Sequence, residues 1–312
     1  MNNKDQFIWV EKYRPASIKD VVLPSSVKKL MKGFVKKGEL TNLLFYGNVG
    51  CGKTTCAKAL ADELGLVYIF VNGTACGVDT ARYTFPEFAS SMSMFDNKRR
   101  LIIIDEAEKM TDSFSQAFNS FVEEYSINCS FILTTNHPNQ LSPAIRSRFN
   151  PICFDIPNKD EKKEMFTDFL NRTCEILEKE SITYERKIIA KFIFDYFPDM
   201  RKSLNMLQAY SEGEGCIDIG ILTKKDSEYE NLLKILKAKD FKALIPFIQE
   251  TELDFNNIVS YFILNYNKFD AMSIAVVIKL ISDYDYKNVV VIHKQANLIA
   301  FLTDVMSNVS IL

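Results

Sequence analysis

Gly47-Asn48-Val49-Gly50-Cys51-Gly52-Lys53-Thr54 fits the pattern GxxxxGK[ST], and its surroundings constrain the chain as much as the match does. The apolar run Leu43-Leu44-Phe45-Tyr46 feeds into it, and a helical pattern begins near Lys53. A glycine-rich turn between strand and helix lets successive backbone N–H groups, together with the positive end of the helix dipole, converge on phosphate oxygens. The expectation is an ATP-magnesium site in which the glycines let the backbone wrap the phosphates. In it Lys53 reaches the β and γ phosphates, and the Thr54 hydroxyl ligates Mg2+.

The rest of the first half agrees with a doubly wound α/β domain. Val67 to Val71, Leu101 to Ile104, Ser130 to Thr134 and Ile152 to Ile156 are short apolar runs without polar alternation, as expected of parallel strands buried on both faces. Leu101-Ile102-Ile103-Ile104 ends in Asp105-Glu106, 52 residues after Lys53. Acids at the carboxyl end of a parallel strand face the ligand crevice, so Asp105 is expected to hold the magnesium and Glu106 to act as general base on the attacking water. Phe131-Ile132-Leu133-Thr134-Thr135-Asn136 ends in a side chain placed to hydrogen-bond the γ-phosphate or the lytic water. Arg148, in Arg146-Ser147-Arg148-Phe149, is a candidate arginine finger for a neighbouring subunit's ATP. Arg201, in Asp199-Met200-Arg201-Lys202, opens a helix in a second domain and can reach back to the γ-phosphate.

After Pro157 the periodicity turns helical. Helices are predicted near 159–180, 184–196 and 199–211, then near 226–237, 239–250, 253–265, 270–283 and 288–308, with no strand signal stronger than Val289 to Ile292. Three domains are expected: an ATPase domain over 1–157, a helical lid over 158–222, and an all-α collar bundle over 223–312.

Composition removes other chemistries. Two histidines and seven scattered cysteines, none in a CxxC pair, leave little material for a zinc site, a histidine triad or a disulfide framework. No apolar run approaches the roughly 20 residues that span a bilayer, and the polar start carries no signal core, so a cytoplasmic location away from membranes is expected. Net charge is −2, with 18 Lys and Arg against 16 acids in residues 1–158 and 20 against 24 beyond them. That balance excludes a strongly basic, autonomous DNA-binding module.

The order of these motifs resembles that of the AAA+ ATPases, and finer features are similar to clamp-loader subunits of the replication factor C and phage type. These are Trp9-Val10-Glu11-Lys12-Tyr13-Arg14-Pro15 with Asp20-Val21-Val22, Phe70-Val71-Asn72-Gly73, Ser147-Arg148, and Phe197-Pro198-Asp199-Met200-Arg201-Lys202. The resemblance covers residues 9 to about 210. It implies that Val10, Glu11, Lys12, Tyr13 and Val22 line the adenine pocket, that Gly50, Cys51, Gly52, Lys53, Thr54 and Thr55 hold the phosphates, that Arg148 acts in trans, and that Arg201 is the lid sensor. It further implies that the terminal bundle joins several copies and a differing subunit into an open ring. The implied function is to load a sliding clamp onto primer-template DNA, in the cytoplasm of an infected host if the protein is phage-encoded.

Arg82 occupies a position that in such proteins faces the central DNA chamber, and Lys98-Arg99-Arg100 is a second basic candidate. Near-neutral charge suits DNA affinity that arises only when a ring aligns several such residues. Asn48-Val49, Cys51 and Phe149 depart from the family pattern, and Cys51 raises the expectation of a thiol-reactive site that ATP protects. Two other functions compete: a helicase or branch-migration motor of the same superfamily, and an inert scaffold subunit. The first usually carries a winged-helix module, and the second sits poorly with a full set of Lys53, Asp105, Glu106, Asn136, Arg148 and Arg201.

Overall fold

The computed structural model describes residues 7–91, 99–156, 158–251 and 253–311, without the side chains of 223–227 and 289. It divides into two compact units, residues 1–218 and 219–312.

The first unit is built on a five-stranded, all-parallel sheet: β1 (Leu43–Tyr46), β2 (Tyr68–Asn72), β3 (Arg100–Asp105), β4 (Cys129–Thr135) and β5 (Asn150–Cys153), in the spatial order β2-β3-β4-β1-β5. Among the described residues the helices accompanying it are α1 (Trp9–Lys12), α2 (Ser25–Lys37), α3 (Lys53–Leu64), α4 (Phe85–Ser90), α5 (Asp112–Glu124) and α6 (Pro143–Arg146). The central strands carry apolar residues on both faces, as their composition predicts. Leu43, Phe45, Leu101, Ile103 and Ile132 join α2 and α3 in one core, while Leu44, Ile102, Ile104, Phe131 and Leu133 join α4 and α5 in the other. The second core is rich in phenylalanine, with Phe118 ringed by Phe85, Phe114, Phe121, Phe131 and Phe149. Phe149, a departure from the family pattern, thus serves as a core side chain.

β2 and β5 are edge strands and only partly buried, which corrects the expectation of burial on both faces. β5 also starts and ends earlier than predicted. In the basic triplet, Arg99 donates to the carbonyls of Ile127 (2.8 Å) and Ser126 (2.7 Å), and the Arg100 guanidinium lies over the Phe88 ring. Both arginines are therefore engaged in anchoring the approach to β3, and Lys98 lies outside the described residues. Arg82 is exposed on a single π-helical turn, Thr80–Thr84, that leads into α4.

The same unit contains α7 (Lys159–Lys179), α8 (Arg186–Tyr196) and α9 (Met200–Glu214). Asn158 caps α7 by accepting from Glu161 N, and Asp199 caps α9 by accepting from Lys202 N. A two-residue parallel ladder, β6 (Thr183–Tyr184) with β7 (Cys216–Ile217), was not legible in the sequence, being shorter than any periodicity.

The second unit is helical: α10 (Gly220–Ala238), α11 (Phe241–Glu250), α12 (Phe255–Leu264), α13 (Ala271–Val290) and α14 (Lys294–Asn308). Phe255, Phe262, Tyr284 and Phe301 form its aromatic centre. The run Val289 to Ile292 makes no strand. In an all-helical unit a lone β-branched run lacks a ladder partner, and α13 continues to Val290 before the chain breaks and α14 begins at Lys294. Among the described residues no helix is long and apolar enough to cross a membrane.

Candidate nucleotide site

Parallel pairing brings three strand ends side by side. Phe45 lies opposite Thr134 and Tyr46 opposite Thr135, so the loop after β1 meets Asn136 just past β4; Ile104 lies opposite Leu133, which sets Asp105 beside them. This is the crevice beyond the carboxyl ends of the strands where open α/β sheets take ligands.

A solvent-open cleft of about 1020 Å3 lies there, with Gly50, Gly52, Lys53, Thr54, Thr55, Asp105, Glu106 and Asn136 in its wall. Val10, Tyr13 and Val22 close it on one side, and Arg201, Met200 and Phe169 on another. Glu11 and Lys12 do not line it, although the resemblance assigns them there. The helical turn α1 carries Val10, Glu11 and Lys12 with Tyr13 as its C-cap, and the i, i+3 pair Val10 and Tyr13 faces the cleft. Glu11 instead pairs with Arg14, and Lys12 with Glu180 at 2.6 Å. The segment is also fixed at its ends, with Trp9 N donating to Gln208 (2.8 Å) and Arg172 donating to the Tyr13 carbonyl (2.7 Å).

Lys53 is 8% exposed, and its ammonium donates to the carbonyls of Gly47 (2.9 Å) and Asn48 (2.7 Å) and to Asn136 Oδ1 (2.8 Å). Three oxygens thus satisfy a buried cation, as its desolvation demands. Thr54 Oγ1 donates to Asp105 Oδ1 at 2.7 Å, and the Thr134 hydroxyl donates to the same oxygen. A hydroxyl and a carboxylate oxygen in contact fit a Mg2+ ion that takes its remaining ligands from water and phosphate.

Glu106 has φ 53°, in the left-handed region where a non-glycine residue is strained. Its Oε2 accepts from Lys109 (2.8 Å) and from Asn72 Nδ2 (3.0 Å), and these two donors, Lys109 foremost, hold its carboxyl below the ordinary carboxylate range. Neither Asn72 nor Lys109 carried a role in the sequence reading. Asn72 had a usable signal: it ends β2 as Asn136 follows β4, and it lies opposite Asp105 in register.

The loop is packed tightly. Gly50 has φ +75°, and a β-carbon there would stand 2.1 Å from Asp199 Oδ1, the cap of α9. Cys51 is buried and does not line the cleft; burial pushes its thiol up against the opposing pull of Lys53. A buried, protonated thiol is a poor nucleophile, which corrects the expected thiol-reactive site. Arg148 is likewise outside the cleft, held by Glu123 and by the Ala144 carbonyl (2.7 Å).

The AAA model, "ATPase family associated with various cellular activities", matches residues 43–155, and a model described as "sliding-clamp-loader large subunit, AAA+ ATPase lid domain" matches residues 161–223. The sliding-clamp-loader large subunit of Enterobacteria phage T4 is 34% identical over 260 residues, covering 81% of each chain. The chain belongs to the clamp-loader AAA+ ATPases. The corresponding subunit of Escherichia phage RB69 matches to the same extent. The replication factor C small subunit of Methanococcus vannielii is 35% identical over 64% of this clamp-loader chain and 63% of its own. Among solved structures, the Thermotoga maritima RuvB Holliday junction branch migration motor superposes with a TM-score of 0.53 at 20% identity, covering 80% of this chain and 85% of that one, a likeness of fold alone. The resemblance read from the motifs is therefore correct in family, and so is the fold class.

Proposed function

We propose that this clamp-loader subunit hydrolyses ATP in the cleft bounded by Lys53, Asp105, Glu106 and Asn136, and that it does so within a ring. The observation that carries the reading is the gathering of Lys53, Thr54, Asp105 and Asn136 in the wall of one cleft as two hydrogen-bonded pairs, Lys53 with Asn136 at 2.8 Å and Thr54 with Asp105 at 2.7 Å. Val10, Tyr13 and Val22 receive the adenine, and the backbone from Gly50 to Thr55 receives the phosphates. Lys53 exchanges the carbonyls of Gly47 and Asn48 for phosphate oxygens and keeps its contact with Asn136 Oδ1. Thr54 and Asp105 hold Mg2+, which when bound neutralises charge on the β and γ phosphates.

Glu106 takes a proton from water as the water oxygen bonds to the γ-phosphorus and the bond to the ADP oxygen breaks. Asn72 and Lys109, both bonded to its Oε2, restrain the carboxylate until it turns to the water. Arg201, on the cleft wall, follows the γ-phosphate and carries α9 with it. Arg148 acts on the neighbouring subunit's ATP; its pair with the exposed Glu123 is a surface ion pair of small worth, readily exchanged for phosphate.

In this reading residues 1–157, 158–222 and 223–312 are the ATPase domain, the lid and the collar. ATP binding opens a sliding clamp and grips primer-template DNA, with Arg82 on a backbone phosphate, and hydrolysis releases the clamp. The partners are further copies of the chain, a differing loader subunit, the clamp and the DNA. The T4 and RB69 relatives, named as clamp-loader subunits, support loading over branch migration, which rests on the RuvB fold likeness alone.

Steady-state ATPase of the chain with its partner subunit tests this, with primer-template DNA, clamp, both or neither. Synergistic stimulation by both, abolished by Arg148→Ala, is the expected result. Full activity on DNA alone with strand separation would replace loading by a helicase function.

A further inference from the structure

Asn136 is held from two sides. Its Oδ1 accepts from Lys53 at 2.8 Å, while its Nδ2 and its backbone N both donate to Glu108 Oε1 at 3.3 Å. Glu108 follows Glu106 by two residues on the 3-10 turn Ala107–Lys109, and it does not line the cleft. Its second oxygen, Oε2, is buried with no hydrogen-bond partner among the described residues.

We propose that Glu108 is a positioning residue that fixes the amide orientation of Asn136, so that Asn136 presents its oxygen, and not its NH2, to the reacting groups. This rests on the reading of Asn136 as a residue of the ATPase site. The two ends of an asparagine amide are nearly the same shape, and only their partners decide which faces where. Rotating this amide by half a turn would set Oδ1 against the Glu108 carboxylate, two acceptors face to face, and Nδ2 against the Lys53 ammonium, two donors face to face. Both contacts would change from attraction to repulsion beside a buried cation and a carboxylate with one oxygen already unpaired.

The consequence is chemical. Of the two tasks the sequence allows Asn136, donating to the γ-phosphate or orienting the lytic water, an outward-facing oxygen performs only the second. It accepts an O–H from the water and steadies Lys53, and it cannot donate to phosphate. Glu108 thereby sets a polarity in the site without touching substrate.

The test uses the complete loader complex with single-turnover ATP hydrolysis, fluorescent-nucleotide affinity and thermal melting. Glu108→Leu removes the acceptor and is expected to slow hydrolysis roughly 10- to 100-fold, the range of a misplaced proton-transfer partner, with nucleotide affinity changed by less than about threefold. Glu108→Gln keeps an acceptor oxygen and should hydrolyse within about threefold of the parent. Asn136→Asp places carboxylate against carboxylate and should be slow. The double variant Glu108→Gln with Asn136→Asp restores a donor-acceptor pair with oxygen facing Lys53, and it should recover much of the loss, a reversal that a purely structural role would not produce.

Failure of the double variant to exceed Asn136→Asp, with both folded, overturns the proposal, as does a Glu108→Leu rate equal to the parent. Should Glu108→Leu not fold, the Gln and Asp variants decide alone. If Asn136→Ala itself leaves hydrolysis intact, the underlying assignment of Asn136 fails instead, and the two failures are thereby told apart.

Discussion

Asn72, the last residue of β2, donates from Nδ2 to Oε2 of Glu106 across 3.0 Å, tying a strand end to the acid that follows the neighbouring strand. Both donors, Asn72 and Lys109, sit on Oε2, and together they restrain the orientation of the carboxylate that is to take a proton from water.

Removing that tie should raise the unstimulated rate. Asn72→Ala is expected to increase ATP hydrolysis in the absence of DNA and clamp, by up to roughly tenfold for loss of one hydrogen bond to a charged group. A fall in the basal rate would mean instead that Asn72 holds Glu106 in its working position.

The pH dependence follows from the same contacts. Lys109 and Asn72 depress the Glu106 carboxyl, so activity is kept to lower pH than an ordinary carboxylate would allow and is lost as pH falls through that depressed value. Lys109→Ala removes the larger cause, raises the carboxyl, and should move the acidic limb of the kcat/KM profile to higher pH. An unmoved limb would detach Glu106 from the proton transfer.

Two glycines should respond in opposite ways. Gly50→Ala strains a residue at φ +75° and drives a methyl group into the cap of α9, so ATP affinity and thermal stability should both fall. Gly33→Ala, inside α2 with nothing within 4 Å of the added carbon, should stabilise by about 0.5–1 kcal/mol. Thermal melts of the two variants with and without ATP check both.

The phenylalanine core sets the cost of losing a ring. Phe118→Ala leaves a cavity among five aromatic neighbours and should cost about 3–5 kcal/mol in urea unfolding of the ATPase-containing unit.

Thiol labelling should separate the cysteines by burial. Cys51 and Cys56, both buried with thiols pushed up, should resist iodoacetamide at neutral pH with or without ATP, whereas the half-buried Cys153 and Cys216 should label first in mass spectrometry. Rapid ATP-protected labelling of Cys51 would contradict the packing of the loop.

The central strands and the P-loop were legible because each apolar run ended in a residue with chemistry to do: Tyr46 before the loop, Asp105 and Glu106, then Asn136. The edge position of β2 was not, because a run such as Tyr68–Val71 looks alike whether covered on one side or two; only strand order distinguishes them. Family resemblance marks a whole segment for the adenine, whereas of residues 10–13 only Val10 and Tyr13 line the cleft, because the local backbone turn decides which side chains face it. Lys109 and Glu108 escaped notice for another reason. Charges just past a strand end are common, and their partners Glu106 and Asn136 are specified by a 3-10 turn and a neighbouring strand that no local pattern reveals.

Glu106→Gln in the complete loader complex tests the site most directly, with ATP affinity and single-turnover hydrolysis measured on the same preparation. ATP affinity is expected within about threefold of the parent and hydrolysis slowed by at least roughly 100-fold, since glutamine keeps the shape but cannot accept the proton. Hydrolysis at the parent rate with ATP still bound would contradict the assignment of Glu106 as the base and, with it, the proposed mechanism.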